Sequence, residues 1–176
     1  MGFYAPAQIV RDAREPGVTV LPPSINDSQW DNVLEERDGK LALRLGFRQI
    51  KGTNEEEAQW IVAARGNGYR AVEDVWRRAG VSPATVTRLA EADVFACLGA
   101  GRRDALWAAK ALSGEEPLPL VAGIIEGEGI GEPAVQFRAM SEGEAVVEDY
   151  VSYRLTLRSH PMALLRHLLT PGYDPV

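Results

Sequence analysis

A mainly α-helical fold with a small β element is predicted by three features of this 176-residue sequence. Behind the turn Lys51-Gly52-Thr53-Asn54, the residues Ala58, Ile61 and Val62 recur at the i, i+3, i+4 period of a half-buried helix. The same turn-and-helix pattern returns 28 residues later, with Gly80 in the place of Gly52. Ahead of both turns, Leu41, Leu43 and Leu45 alternate as residues of a strand do. The expected order is a short β-hairpin, a helix-hairpin-helix unit with a second hairpin in tandem, an extended linker, and C-terminal helices.

Residues 5–17 (APAQIVRDAREPG) read as a short helix with Ile9, Val10 and Ala13 inward, stopped by Pro16-Gly17. VTVLPPSIN follows as a brief strand on Val18 and Val20, closed by two prolines and an Asn/Asp/Ser turn. Asp38-Gly39 suits a two-residue hairpin between NVLEER and KLALRLGF, giving a sheet of two or three strands. Leu45, Phe47 and Ile50 then form a short apolar turn before the loop, and the stem of Arg65 extends the apolar face of the helix behind it. Asn54 is the expected N-cap, with Glu57 completing a capping box, and Glu55, Glu56 and Glu57 fill the first turn. Gly52 and Asn54 are the loop residues suited to positive φ.

Gly66-Asn67-Gly68 breaks that helix. RAVEDVWRRAG turns Val72, Val75, Trp76 and Ala79 inward and stops at Gly80. Ser82 caps the next helix, with Pro83 at its first position. The repeat matches Asn54 with Ser82, Ala58 with Val86, Ile61 with Leu89 and Val62 with Ala90, so two hairpins could pack about a pseudo-twofold axis. GRRDALWAAKAL closes the helical region with Leu106, Ala109 and Leu112 inward. Residues 113–140 are rich in Gly, Pro and Glu and read as an acidic linker; GEGIGE within them lacks the βαβ context of a dinucleotide fingerprint. MSEGEAVVEDYVSYRL resumes a helical pattern through Ala145, Val146 and Tyr150, and SHPMALLRHLL starts another helix at Pro161.

The turn before a capped helix presents backbone N–H groups at a helix N-terminus, which suits a phosphodiester. The candidate contacts are Gly52, Thr53 and Asn54 with the cations Arg48, Lys51 and Arg65 around them. Rival positions are Gly80 and Ser82 with Arg77 and Arg78, or the pair Arg102 and Arg103. The same turn also serves as a helix cap that binds nothing. Thr53 stands where such a hairpin usually has an aliphatic residue, Asn54 replaces its second glycine, and three glutamates crowd the site. The chain carries a net charge of −6, but unevenly: −3 over residues 1–43, +3 over 44–110 and −6 over 111–176. A basic middle between acidic ends is compatible with a phosphate-tracking surface.

Cys97 is the only cysteine, so no intrachain disulfide forms; it reads as a buried thiol in a reducing compartment. His160 and His167 have no ligand cluster near them, and no metal site is expected. There is no Walker loop, nucleophile–base pair or close acidic pair, so the chain is not equipped for chemistry alone. No run is long enough to span a membrane, and no secretory signal is visible.

The blocks GFYAPAQIVRDAR, ALRLGFRQIKG, YRAVEDVWRRAGV and LTLRSHPMALLR, with the LPPSIN, EADVF and ALWA segments between them, resemble the bacterial C-family DNA polymerases. The likeness is greatest to their error-prone paralogue of the polymerase III alpha subunit and covers nearly the whole chain. It implies that residues 1–40 end the fingers, that 41–112 are a helix-hairpin-helix DNA-binding domain, and that 141–176 precede an OB-fold domain this sequence lacks. The family's catalytic carboxylates and divalent metal belong to a palm domain upstream, also absent here. The resemblance therefore implies a DNA-holding part of a cytoplasmic polymerase used in translesion synthesis and DNA repair, without cofactor and inactive by itself. Duplex DNA would be bound weakly and without sequence preference. The alternative is a non-catalytic module contacting a polymerase accessory subunit or a sliding clamp. Where replicative relatives carry a clamp-binding peptide, this chain has Pro117, Leu118, Pro119, Leu120 and Val121, without the glutamine and terminal aromatic, so direct clamp binding is expected to be weak.

Overall fold

The structure is a computed structural model that describes residues 6–112 and 137–166. The linker residues 117–121, the GEGIGE segment and His167 lie outside the described residues. Helix α1 (Pro6–Arg14) leads into strand β1 (Thr19–Leu21), then β2 (Val33–Arg37) and β3 (Lys40–Arg44). The sheet has the order β1-β3-β2, with β1 parallel to β3 and β2 antiparallel to it. Asp38 and Gly39 turn the hairpin with φ of 52° and 73°, the positive pair that matches the right-handed twist of the flanking strands.

Beyond the sheet, a 3-10 turn (Phe47–Gln49) precedes α2 (Glu55–Ala64), followed by α3 (Val72–Ala79) and α4 (Pro83–Glu91). A second 3-10 segment (Val94–Leu98) leads to α5 (Arg102–Ala111), and α6 (Glu142–Tyr153) and α7 (Pro161–Leu165) follow. Mainly helical architecture with a small sheet is thus the fold, as the periodicity predicts. Helices α2 and α3 pack together, as do α4 and α5, and α3 joins the two pairs. Phe47, Ile61, Val75, Val86, Leu89 and Phe95 are fully buried between them. Tyr153 and Leu155 enter the same core from the C-terminal side and Ile25 from the N-terminal side.

One contact is of the kind that a pseudo-twofold packing of the two hairpins brings about. Glu57 and Thr85, equivalent in the 28-residue repeat, meet with the Thr85 hydroxyl donating to Glu57 Oε2 at 2.6 Å. Gly52 and Gly80 both have positive φ, 77° and 64°. A third turn has the same form: Gly99 at φ 76°, Ala100, then Gly101 opening α5. Its spacing of 19 residues from Gly80 hides it from a search at 28, because a short 3-10 segment replaces a full helix before it.

The inward assignments of Ile9 and Cys97 do not hold, and the structure fixes the facing of β3 and α6, which the pattern leaves open. Of the α1 residues assigned inward, Val10 is buried, but Ile9 is 59% exposed; the helix packs on β1 and reaches the Leu157 carbonyl through Arg14, and presents only a narrow stripe to the body. Leu41 is exposed together with Leu34, whereas Ala42 and Arg44 are buried on the other face of β3. Arg44 occupies that face because Glu35 across the hairpin accepts two hydrogen bonds from it, at 3.1 and 2.9 Å, and the Pro22 carbonyl a third. Tyr150 faces outward, and the buried stripe of α6 is Ala145, Val146, Asp149, Ser152 and Tyr153. Cys97 is exposed, because the tight turn directs Val94 and Phe95 to the core and leaves Ala96 and Cys97 at the surface.

Candidate nucleic-acid interface

The first hairpin is built by close backbone packing. Ser28, fully buried, donates to the Leu45 carbonyl at 2.7 Å, and the Phe47 and Arg48 amides donate to the Gln29 and Trp30 carbonyls. Phe47 and Ile50 anchor the turn in the core, so Lys51, Gly52 and Asn54 emerge on the surface. The Lys51 amide donates to the Ser152 carbonyl of α6 at 2.8 Å, and the Thr53 amide to Ile50. The amides of Gly52 and Asn54 have no hydrogen-bond partner among the described residues. They form the part of the turn available to an anion.

Asn54 is the N-cap, as predicted, and its side chain accepts from the Glu56 amide at 2.8 Å. Two expectations about it fail. Its φ is −91°, so only Gly52 in this loop uses the left-handed region. Nor does Glu57 close a capping box with it. Glu57 crosses the pseudo-dyad instead and accepts from the Ser82 amide at 3.2 Å and from Thr85. A buried hydroxyl and an otherwise orphan amide of the neighbouring helix claim it more strongly than the local cap. Thr53 is turned inward, its hydroxyl buried without a partner among the described residues, in the manner of the aliphatic residue it replaces.

Glu57 has two effects on the site. Its carboxylate is withdrawn from the first hairpin, which reduces the repulsion expected there, and it fills the N-terminus of α4 where an anion would otherwise sit. Burial raises its pKa, but the hydrogen bonds from Thr85 and Ser82, with the Arg88 charge, outweigh burial and hold it below the ordinary 4.5. A folded-state value lower than the unfolded one makes the contribution to stability complete above pH 4.5 and lost as the pH falls through the folded value. The melting temperature of the parent is therefore expected to fall more steeply below pH 4.5 than that of Glu57→Gln. Parallel pH profiles for the two proteins would refute this.

The remaining cations divide sharply. Arg48 is exposed and paired with Asp31, and Arg77 with Glu73 at 2.8 Å; exposed pairs of this kind are worth little and exchange readily for a phosphate. Arg65 is engaged elsewhere: its guanidinium donates to the Ile25 and Ser28 carbonyls, and burial lowers its pKa. Arg78 caps the end of α2, donating to the Ala64, Arg65 and Gly68 carbonyls and lying 4.7 Å over the Tyr69 ring. Gly80 closes α3, and Ser82 caps α4 by accepting from the Thr85 amide at 3.2 Å.

Arg102 is buried, ion-paired with Asp149 and bonded to the Ala145 carbonyl, which places it inside the protein. Asp93 and Arg158 complete that cluster, bonded at 2.9 Å, and burial raises Asp93 above its ordinary pKa despite both arginines. Arg103 reaches Glu144 at 3.0 Å and the Arg138 carbonyl. Arginines near a glycine turn look alike in sequence, but those facing a carbonyl-rich helix end or a buried aspartate are held by the fold. One cation beside the first hairpin escapes a sequence reading: Arg88, which α4 brings over Gly52 from 36 residues away. Its repeat position, equivalent to Trp60, is the signal that could have found it.

Among the described residues, no helix is long and apolar enough to cross a membrane, and no group of three acidic, histidine or cysteine side chains is placed to hold a metal ion.

Two glycine-turned hairpins across a pseudo-dyad, each leading into a capped helix, define the class. The chain belongs to the helix-hairpin-helix motif family, which matches residues 17–105. Its homologues are more particular. It is 63% identical over 99% of its length to a Ruegeria pomeroyi protein named error-prone DNA polymerase. It is 50% identical over 94% to the Brucella abortus protein of that name, and 51% over 94% to an error-prone DNA polymerase 2 of Rhizobium meliloti. The family resemblance drawn from the sequence blocks holds. The chain spans 16% of the length of each of these relatives.

Proposed function

We propose that this chain is the DNA-holding segment of an error-prone, DNA-directed DNA polymerase acting in translesion synthesis and repair in the cytoplasm. It would grip duplex DNA through phosphates without reading bases. The observation that supports this most is the surface of the first hairpin: the free amides of Gly52 and Asn54 beside the exposed Lys51, with Glu57 drawn away across the dyad. The DNA-binding unit in this reading is residues 41–112. Incorporation chemistry and its divalent metal are left to the family's palm domain, and no cofactor is required here.

Fluorescence anisotropy of a labelled duplex, titrated at several salt concentrations, tests the reading. Lys51→Ala is expected to weaken binding evenly across sequences and to lower the salt slope by roughly one, the signature of one lost phosphate contact. Binding that is absent in the parent, or unchanged in slope and strength in Lys51→Ala, would overturn the reading.

A further inference from the structure

We propose that Arg88, from the second repeat, is a phosphate-binding residue of the first hairpin, so that one DNA phosphate is gripped from both sides of the pseudo-dyad. The proposal rests on the first hairpin being the DNA contact and adds a residue 36 positions away in sequence. Its basis is geometric. A Cβ built on Gly52 would lie 3.3 Å from Arg88 Nε and 3.5 Å from its Cδ. The guanidinium therefore sits against the one loop residue at positive φ, whose own amide is free.

Its state is equally informative. Between residues 44 and 110, the arginines other than Arg70 and Arg88 all donate to a carbonyl or pair with a carboxylate. The side chains of Arg70 and Arg88 have no hydrogen-bond or ion-pair partner among the described residues. Arg88 is also half-buried, so its stem is already ordered by packing, and a planar guanidinium with unused donors is suited to a phosphate. Glu57, which feels the Arg88 charge, is bound to Ser82 and Thr85 rather than to Arg88.

The repeat supplies the contrast. The equivalent of Arg88 is Trp60, which brings no charge to the second hairpin. That hairpin's Ser82 amide is filled by Glu57, while the corresponding Asn54 amide is free. Two turns of the same backbone form thus offer one anion grip: cation and free amides collect at the first hairpin, a carboxylate at the second.

The test uses the whole chain and a fluorescent duplex at a series of sodium chloride concentrations. Arg88→Gln should lower the salt slope by about one and weaken binding roughly eightfold at 0.1 M salt, as a unit slope implies. Arg88→Lys should retain the slope, and Arg88→Gln with Lys51→Ala should lose about two units. A purely packing role would change the melting temperature without moving the slope. Arg88→Gln with the parent's slope, beside a Lys51→Ala that has lost its unit, would overturn the Arg88 assignment and leave the hairpin reading standing. Parent-like binding by both variants would overturn both.

Discussion

Replacing Asp149 by alanine is expected to destabilise the protein by about 3–5 kcal/mol, the cost of leaving a buried charge without its partner. Asp149 is 1% exposed and Arg102 7%. Besides pairing with Arg102, Asp149 accepts from the Thr156 hydroxyl at 2.8 Å and lies 3.4 Å from Arg158. Burial, with the Asp149 charge added to it, pushes the Tyr153 hydroxyl pKa up, so the phenol stays neutral in this cluster. Removing the carboxylate would strand a guanidinium whose Nε already lacks a partner among the described residues. Urea unfolding monitored by circular dichroism measures the loss. Arg102→Met combined with Asp149→Leu should lose less than Asp149→Ala alone, because the buried guanidinium is then removed with its partner while Asp93 keeps Arg158. A loss below about 1 kcal/mol in Asp149→Ala would show that the cluster is hydrated and carries little of the stability. The effect should reach the first hairpin as well, since α6 bonds to the Lys51 amide through the Ser152 carbonyl.

Gly46→Ala is expected to be the second most damaging change, costing about 3 kcal/mol or more, at the top of the range for overpacking. The reason is close approach rather than backbone freedom, for its φ is an ordinary −87°. A Cβ at this position would collide with the Trp30 carbonyl oxygen and the Asp31 backbone, neither of which has a flexible end to swing away. The same approach lets Gly46 donate to Asn32 Oδ1 at 2.8 Å and fixes the start of the first hairpin. A melting temperature within a few degrees of the parent would mean that the 29–32 segment yields easily, against this account.

Much of the fold was legible because local rules and tertiary demands agree. The Asp38-Gly39 turn, the caps at Asn54 and Ser82, the helix start at Pro161 and the stop at Gly80 depend on backbone geometry that few residues satisfy, and each lies where the sequence places it. The apolar stripes of α2, α3 and α4 are likewise as the period indicates. Short elements were less legible. On α1, β3 and α6 the period does not say which residues meet the body: Ile9, Leu41 and Tyr150 are exposed, whereas Val10, Ala42 and Asp149 are buried.

The sequence by itself determined the helix-hairpin-helix frame, the 28-residue repeat and the family, since each rests on residues near one another in the chain or on extended likeness. Only the tertiary structure decided which side chains are available to a ligand. Arg65, Arg78 and Arg102 carry the same charge as Lys51, yet the first two are bound to carbonyls and the third to Asp149. Glu57 and Arg88 meet residues 28 and 36 positions away in the chain, a juxtaposition that no local spacing describes. Charge and propensity are properties of the residue. Whether a charge is satisfied depends on what the fold brings within hydrogen-bond distance, and that is set by packing.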